Sequence, residues 1–155
     1  MKAFYLLLSS LSFFLVSCSS IMLAQDPPQQ VNQVSSKVLR SFYKMYGEVP
    51  TAKWVRTSTG YAVSFSRTEI NTLVHYALNG TRVSWLLSYG EDQLSPSIRR
   101  LVKSNFYDYT ITHVSELHSN DAMVYHVLLE DRTTIKTIRI SEGEWEIENT
   151  MYKLQ

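Results

Sequence analysis

The chain has 155 residues, 45% of them hydrophobic and 19% charged, a formal net charge of +1 and one cysteine. That charge sets up no strong field for nucleic acid or an anionic surface. With Cys18 alone the domain has no disulfide, so its stability must come from a packed core.

Met1-Lys2-Ala3 followed by an apolar run to Val16 is the layout of a secretory signal. Six serines between Ala3 and Ala24 dilute the run as a spanning helix, and the polar Gln25-Asp26-Pro27-Pro28 that follows makes it removable. Two cleavage positions compete. Cleavage after Ala24 makes 1–24 the signal, whereas Leu15-Val16-Ser17-Cys18 resembles a lipobox, which would end the signal at residue 17 and lipidate Cys18. Ile21-Met22-Leu23 favours the first, because lipoproteins turn polar after their cysteine, and Met22 disfavours it, being large for that site. The product is expected in the periplasm or outside the cell, held on the outer membrane only if Cys18 carries lipid. Residues 25–30 read as a flexible leader. Residues 31–155 suffice for one domain but not for two independent ones.

Val31, Val34, Val38, Phe42 and Met45 recur at helical spacing, with Leu39 and Tyr46 beside them. They predict a helix of about four turns, stopped by Gly47 and Pro50, with Lys37, Arg40 and Lys44 facing away. Strands are expected over Ala52–Arg56, Tyr61–Phe65, Thr72–Leu78 and Thr81–Ser88. Tyr61, Val63 and Phe65 share one face, as do Val83, Trp85 and Leu87. Asn79-Gly80-Thr81 fits a glycosylation sequon, but Asn79-Gly80 reads as a two-residue hairpin turn with both residues at positive φ.

Ser95-Pro96 opens a second helix, the serine capping free amides and the proline suiting the first helical position. Ile98, Leu101, Val102 and Phe106 form its stripe. Strands follow over Thr110–Leu117, Met123–Glu130, Thr133–Ser141 and Glu144–Lys153, joined at Ser119-Asn120-Asp121, Asp131-Arg132 and Glu142-Gly143.

The two halves, 31–90 and 91–155, repeat one order of elements. Leu39 aligns with Ile98, Val55 with Val114, Tyr61 with Tyr125, Gly80 with Gly143 and Trp85 with Trp145. The fold class is therefore α+β, a tandem duplicated unit of one helix plus about four antiparallel strands, with both helices on one face of a shared sheet.

Val49-Pro50-Thr51-Ala52-Lys53-Trp54-Val55, Gly60-Tyr61-Ala62-Val63-Ser64-Phe65, Leu94-Ser95-Pro96-Ser97-Ile98, Tyr125-His126-Val127-Leu128-Leu129 and Gly143-Glu144-Trp145 resemble the PepSY-like, or β-lactamase-inhibitor-like (BLIP-like), exported proteins of Bacteroidetes. The chain departs from that pattern in lacking a Leu-Pro pair before the second helix and an Asp-Gly turn ending each unit. The resemblance implies a helix-plus-sheet unit used twice and a partner gripped on the concave sheet face. Fold does not fix function.

No Gly-x-Ser-x-Gly, His-Glu-x-x-His or phosphate-binding glycine loop is present, and the expectation is a non-enzymatic domain without cofactor or metal. His113 and His118, five apart, face opposite sides of a strand, and His75 and His126 sit on interior strand segments without the convergence a metal needs. Glu144, Glu146 and Glu148 share one strand face and read as a charged cover that keeps an edge strand from pairing. Of Glu116, Asp121, Glu130 and Asp131, most sit at turns, where solvent keeps carboxylates ordinary. The expected partner is a protein or peptide on the open sheet face. Trp54, Tyr76, Trp85 and Tyr125 are the candidate partner-binding residues, expected to divide between core and open face. An envelope hydrolase with an unfamiliar site, or an assembly or stability factor for a membrane partner, are the alternatives.

Overall fold

A computed structural model describes residues 29–30, 33–119 and 122–154. The signal, Cys18 and Val31 lie outside the described residues. The first helix, α1, spans Ser36–Tyr46. It is about a turn shorter at its N-terminal end than the apolar spacing suggests. Val38 and Phe42 are buried, Val34 packs beside them from the preceding loop, and Met45 is exposed. Gly47, at φ +66°, ends the helix by donating its N–H to Tyr43 O at 2.9 Å. The second helix, α2, spans Pro96–Asn105 and buries Val102, with Phe106 beyond it and Ile98 and Leu101 partly covered. Ser95 holds the N-cap position without the expected cap, since its hydroxyl makes no bond to a helix amide and lies 3.3 Å from Ser97 Oγ.

The strands are β1 Gln29–Gln30, β2 Lys53–Arg56, β3 Gly60–Arg67, β4 Ile70–Ala77, β5 Arg82–Tyr89, β6 Thr110–Ser119, β7 Met123–Glu130, β8 Thr134–Ser141 and β9 Glu144–Tyr152. Among the described residues they form one sheet in chain order, every neighbour antiparallel. α1 precedes β2–β5 and α2 precedes β6–β9, so each half is one helix and four strands. The expected flexible leader ends differently: Gln29 and Gln30 pair with Arg56 and Val55, so its last residues extend the sheet.

Three departures from the expected turns and faces have local causes. Asn79-Gly80 belongs to a three-residue loop closed by Ala77 N–H to Thr81 O at 2.9 Å, and of the pair only Gly80 has positive φ. The tight two-residue turn lies instead at Thr68-Glu69, at φ 45° and 66°, where Arg67 pairs with Ile70. Arg67 Nη2 donates to Tyr46 O at 2.7 Å and Glu48 O at 3.1 Å, which ties this turn to the end of α1. Val83 falls out of the alternation with Trp85 and Leu87: the β4–β5 register shifts at His75/Tyr76, and Val83 is the unpaired, exposed extra residue.

Register places Val63, Val74 and Trp85 side by side across β3–β5, and Val114, Val127 and Ile138 side by side across β6–β8. α1 buries Val38 and Phe42 against the first group and α2 buries Val102 and Phe106 against the second. Both helices therefore cover the same face. The other face has no described helix over it.

Candidate functional site

The helix-covered face takes the large aromatics. Trp54 pairs with Val63, and its ring meets Phe42 edge-on at 5.1 Å and Tyr76 at 6.4 Å. Trp85 stacks flat on His118, with ring centroids 4.5 Å apart, and Arg82 lies 3.5 Å from the Trp85 ring centre. Tyr76 and Tyr125 are buried, and Trp54 and Trp85 are half-buried. All four candidate partner-binding aromatics thus sit on the helix side, and none reaches the open face. The reason is parity. Each is an even number of ladder steps from a core residue, and alternation carries every such position to the same side.

A polar cluster lies at the seam of the two cores. Glu116, one of the four carboxylates not promoted to a site, is in mid-β6 with a side chain only 16% exposed. Its Oε2 accepts from the Tyr89 hydroxyl, and its Oε1 lies 2.5 Å from His118 Nε2. Burial, then the bond to Glu116, push the Tyr89 hydroxyl well above the usual tyrosine range. Burial and the same carboxylate raise Tyr125. Both tyrosines stay protonated, and both Glu116 oxygens are engaged, so the cluster is closed on itself. Val114, Glu116 and His118 share a period of two, the signal that could have placed Glu116 on the buried side.

The open face is ordered by rungs. Leu73, Leu86, Leu117 and Val124 are direct cross-strand partners on β4, β5, β6 and β7, which makes one aliphatic rung across the middle of the sheet. Ser64 and Lys53 continue it on one side, Ser141 and Glu144 on the other. The next rung is wholly polar: Ser66, Asn71, Ser88, Ser115, His126, Arg139 and Glu146. A shallow groove of 620 Å³ runs between these rungs at the β2–β5 end, floored by Leu73 and Leu86 and walled by Lys53, Ser66, Asn71 and Ser88. His126 Nδ1 lies 2.9 Å from Glu148 Oε2, and Arg139 donates to Glu146 at 3.2 Å, so these four side chains of the face pair with one another. His113 faces this side and His118 the other, as their spacing requires. Among the described residues no three His, Cys, Asp or Glu side chains are grouped to hold a metal, and no helix is long and apolar enough to cross a membrane.

An antiparallel meander with two helices on one side and a ruled polar-aliphatic surface on the other defines an α+β fold. No protein-family model and no curated protein matches the chain. Solved structures do. A DUF2874 family protein from Bacteroides ovatus is similar at 15% identity and TM-score 0.59, over 79% of this chain and 89% of that one. A BLIP-like protein from Bacteroides fragilis is similar at 14% identity and TM-score 0.59, over 79% and 88%. A Bacteroides eggerthii protein with a provisional periplasmic description is similar at 13% identity and TM-score 0.57, over 77% and 89%. At these identities the likeness is one of fold, and it is the fold that the sequence resemblance to BLIP-like proteins of Bacteroidetes implied.

Proposed function

We propose that this chain is an exported, non-enzymatic binding domain whose open sheet face receives a protein or peptide. The observation that carries the reading is the Leu73-Leu86-Leu117-Val124 rung, a continuous apolar line on a face that no described helix covers, with Leu117 exposed and the other three half-buried. The dimensions suit a protein partner. Strands β3–β9, each of eight to ten residues, at about 4.8 Å spacing and about 26 Å length present roughly 900 Å², against about 800 Å² per partner in a standard interface. The short serines and Asn71 beside the rung let a partner's side chains reach the aliphatics. This surface replaces the aromatic one expected from sequence.

Export is supported by the signal layout of residues 1–24 and by the periplasmic description of one structure of this fold. The two halves are read as copies of one unit. Tyr61 and Tyr125 are both buried beneath a helix, and Trp85 and Trp145 both face the helix layer. Val55 and Val114 break the correspondence, because Val55 pairs with Ala62 on the open side while Val114 is fully buried.

The test places a photocrosslinking amino acid at Leu117, and separately at Lys37 on the exposed side of α1, in cells that export the chain. A discrete adduct from position 117, weakened by Leu86→Lys, is expected. Equal adducts from both positions, or an adduct indifferent to Leu86→Lys, would refute open-face binding.

A further inference from the structure

Described strands end at β9, whose nine residues have β8 on one side and no described partner on the other. The apolar rungs of the helix face run out to this edge and stop in solvent. Ile140 and Ile138 are fully buried, yet their partners Trp145 and Ile147 are 39% and 46% exposed. β5, the last strand of the first half, shows the contrast: Trp85 has its outer side closed by His118 of β6. Trp145 touches Phe106 on its inner side, and no further described strand lies beyond it.

On the opposite face of β9 stand Glu144, Glu146 and Glu148. A second copy laid antiparallel here, with its helices on the same side, sets glutamate opposite glutamate, and like charges directly opposite are unfavourable. The β8–β9 register shifts at Thr137/Ile138, which makes Glu148 the extra residue and bends the strand beyond Ile147. These devices oppose self-pairing. They leave the backbone of Glu144–Ile147 free to pair with a chain of complementary charge.

We propose that β9 is a strand-addition site for an extended segment of alternating basic and apolar residues. It would pair along Glu144–Ile147, with lysines or arginines over the glutamates and apolar side chains extending the rungs of Trp145 and Ile147. This surface is separate from the open-face rung.

The test uses the full chain, labelled with nitrogen-15, and a peptide of alternating Lys and Val as long as β9. Binding should slow hydrogen exchange at the outward-facing amides of Glu144–Ile147. Two controls should bind about tenfold more weakly: a Glu-Val peptide, and the Lys-Val peptide N-methylated on alternate amides, which keeps its side chains but loses its ladder. Leu86→Lys should leave this binding unchanged, which distinguishes it from failure of the open-face reading. Unaltered exchange, or undiminished binding of the methylated peptide, would overturn the proposal. So would a dimer in sedimentation that Glu146→Lys changes, since the occupant would then be a second copy.

Discussion

Tyr76→Phe removes a single oxygen from the centre of the first core. The ring is 2% exposed, and among the described residues its hydroxyl has no hydrogen-bond partner. An unsatisfied buried hydroxyl costs about 1–3 kcal/mol, while the phenyl ring keeps its contacts with Trp54 and α1. The variant should therefore be more stable at neutral pH by about 1 kcal/mol, raising Tm by about 4 °C for a domain of this size. Thermal and urea unfolding followed by circular dichroism would show it, with an unchanged m-value if the unfolded state is unaffected. A second readout is pH. Burial, with a smaller push from Tyr46, raises the Tyr76 hydroxyl to about 12, against a partial opposing pull from Arg82. A folded value above the unfolded one leaves stability intact below about pH 10 and erodes it as pH rises towards 12, because the unfolded chain ionises first. Tyr76→Phe should flatten that part of the alkaline decline, while Tyr89 and Tyr125 keep the remainder. Destabilisation by about 1 kcal/mol or more at pH 7 would refute the reasoning, because the hydroxyl would then have a favourable partner.

Gly60→Ala should prevent folding or leave the chain in inclusion bodies, since an added Cβ would lie 1.9 Å from the Tyr76 carbonyl oxygen, a backbone atom that cannot step aside. Solubility and circular dichroism check it. Asp131→Ala should lose an acid-sensitive part of stability. The Asp131 carboxylate accepts the Thr133 amide at 2.7 Å and the Thr134 amide at 2.6 Å, and these bonds hold it well below the usual carboxylate range. In the parent chain this contribution is complete above about pH 4 and falls away on further acidification, so the urea midpoint of the variant should vary less over that range. Phe42→Ala, which empties a site packed edge-on against Trp54 and Phe65, should cost about 3–5 kcal/mol by urea titration.

The helix stripes were legible because their signal is local. Val38 with Phe42, and Val102 with Phe106, are four apart and need only a 3.6-residue period to define a buried side. Strand alternation and the Glu142-Gly143 turn, both residues at positive φ, are equally local. The Thr68-Glu69 turn was not legible, because neither residue favours positive φ and the turn is tied down by Arg67 bonding to distant carbonyls. The rung of Leu73, Leu86, Leu117 and Val124 was equally hidden. On each strand it is one aliphatic among polar neighbours, and only four strands in register make it a surface. The Glu116 cluster joins side chains from β5, β6 and β7 in the same way.

By itself the amino-acid order determined where both helices and the eight longer strands lie and which stripe of each helix is apolar. Tertiary structure decided which sheet face each strand residue meets. Single extra residues at Val83, Thr112 and Glu148 shift the register between neighbouring strands. A one-residue shift sends every later side chain to the opposite face, so the working surface depends on pairings between distant segments, which no local pattern encodes.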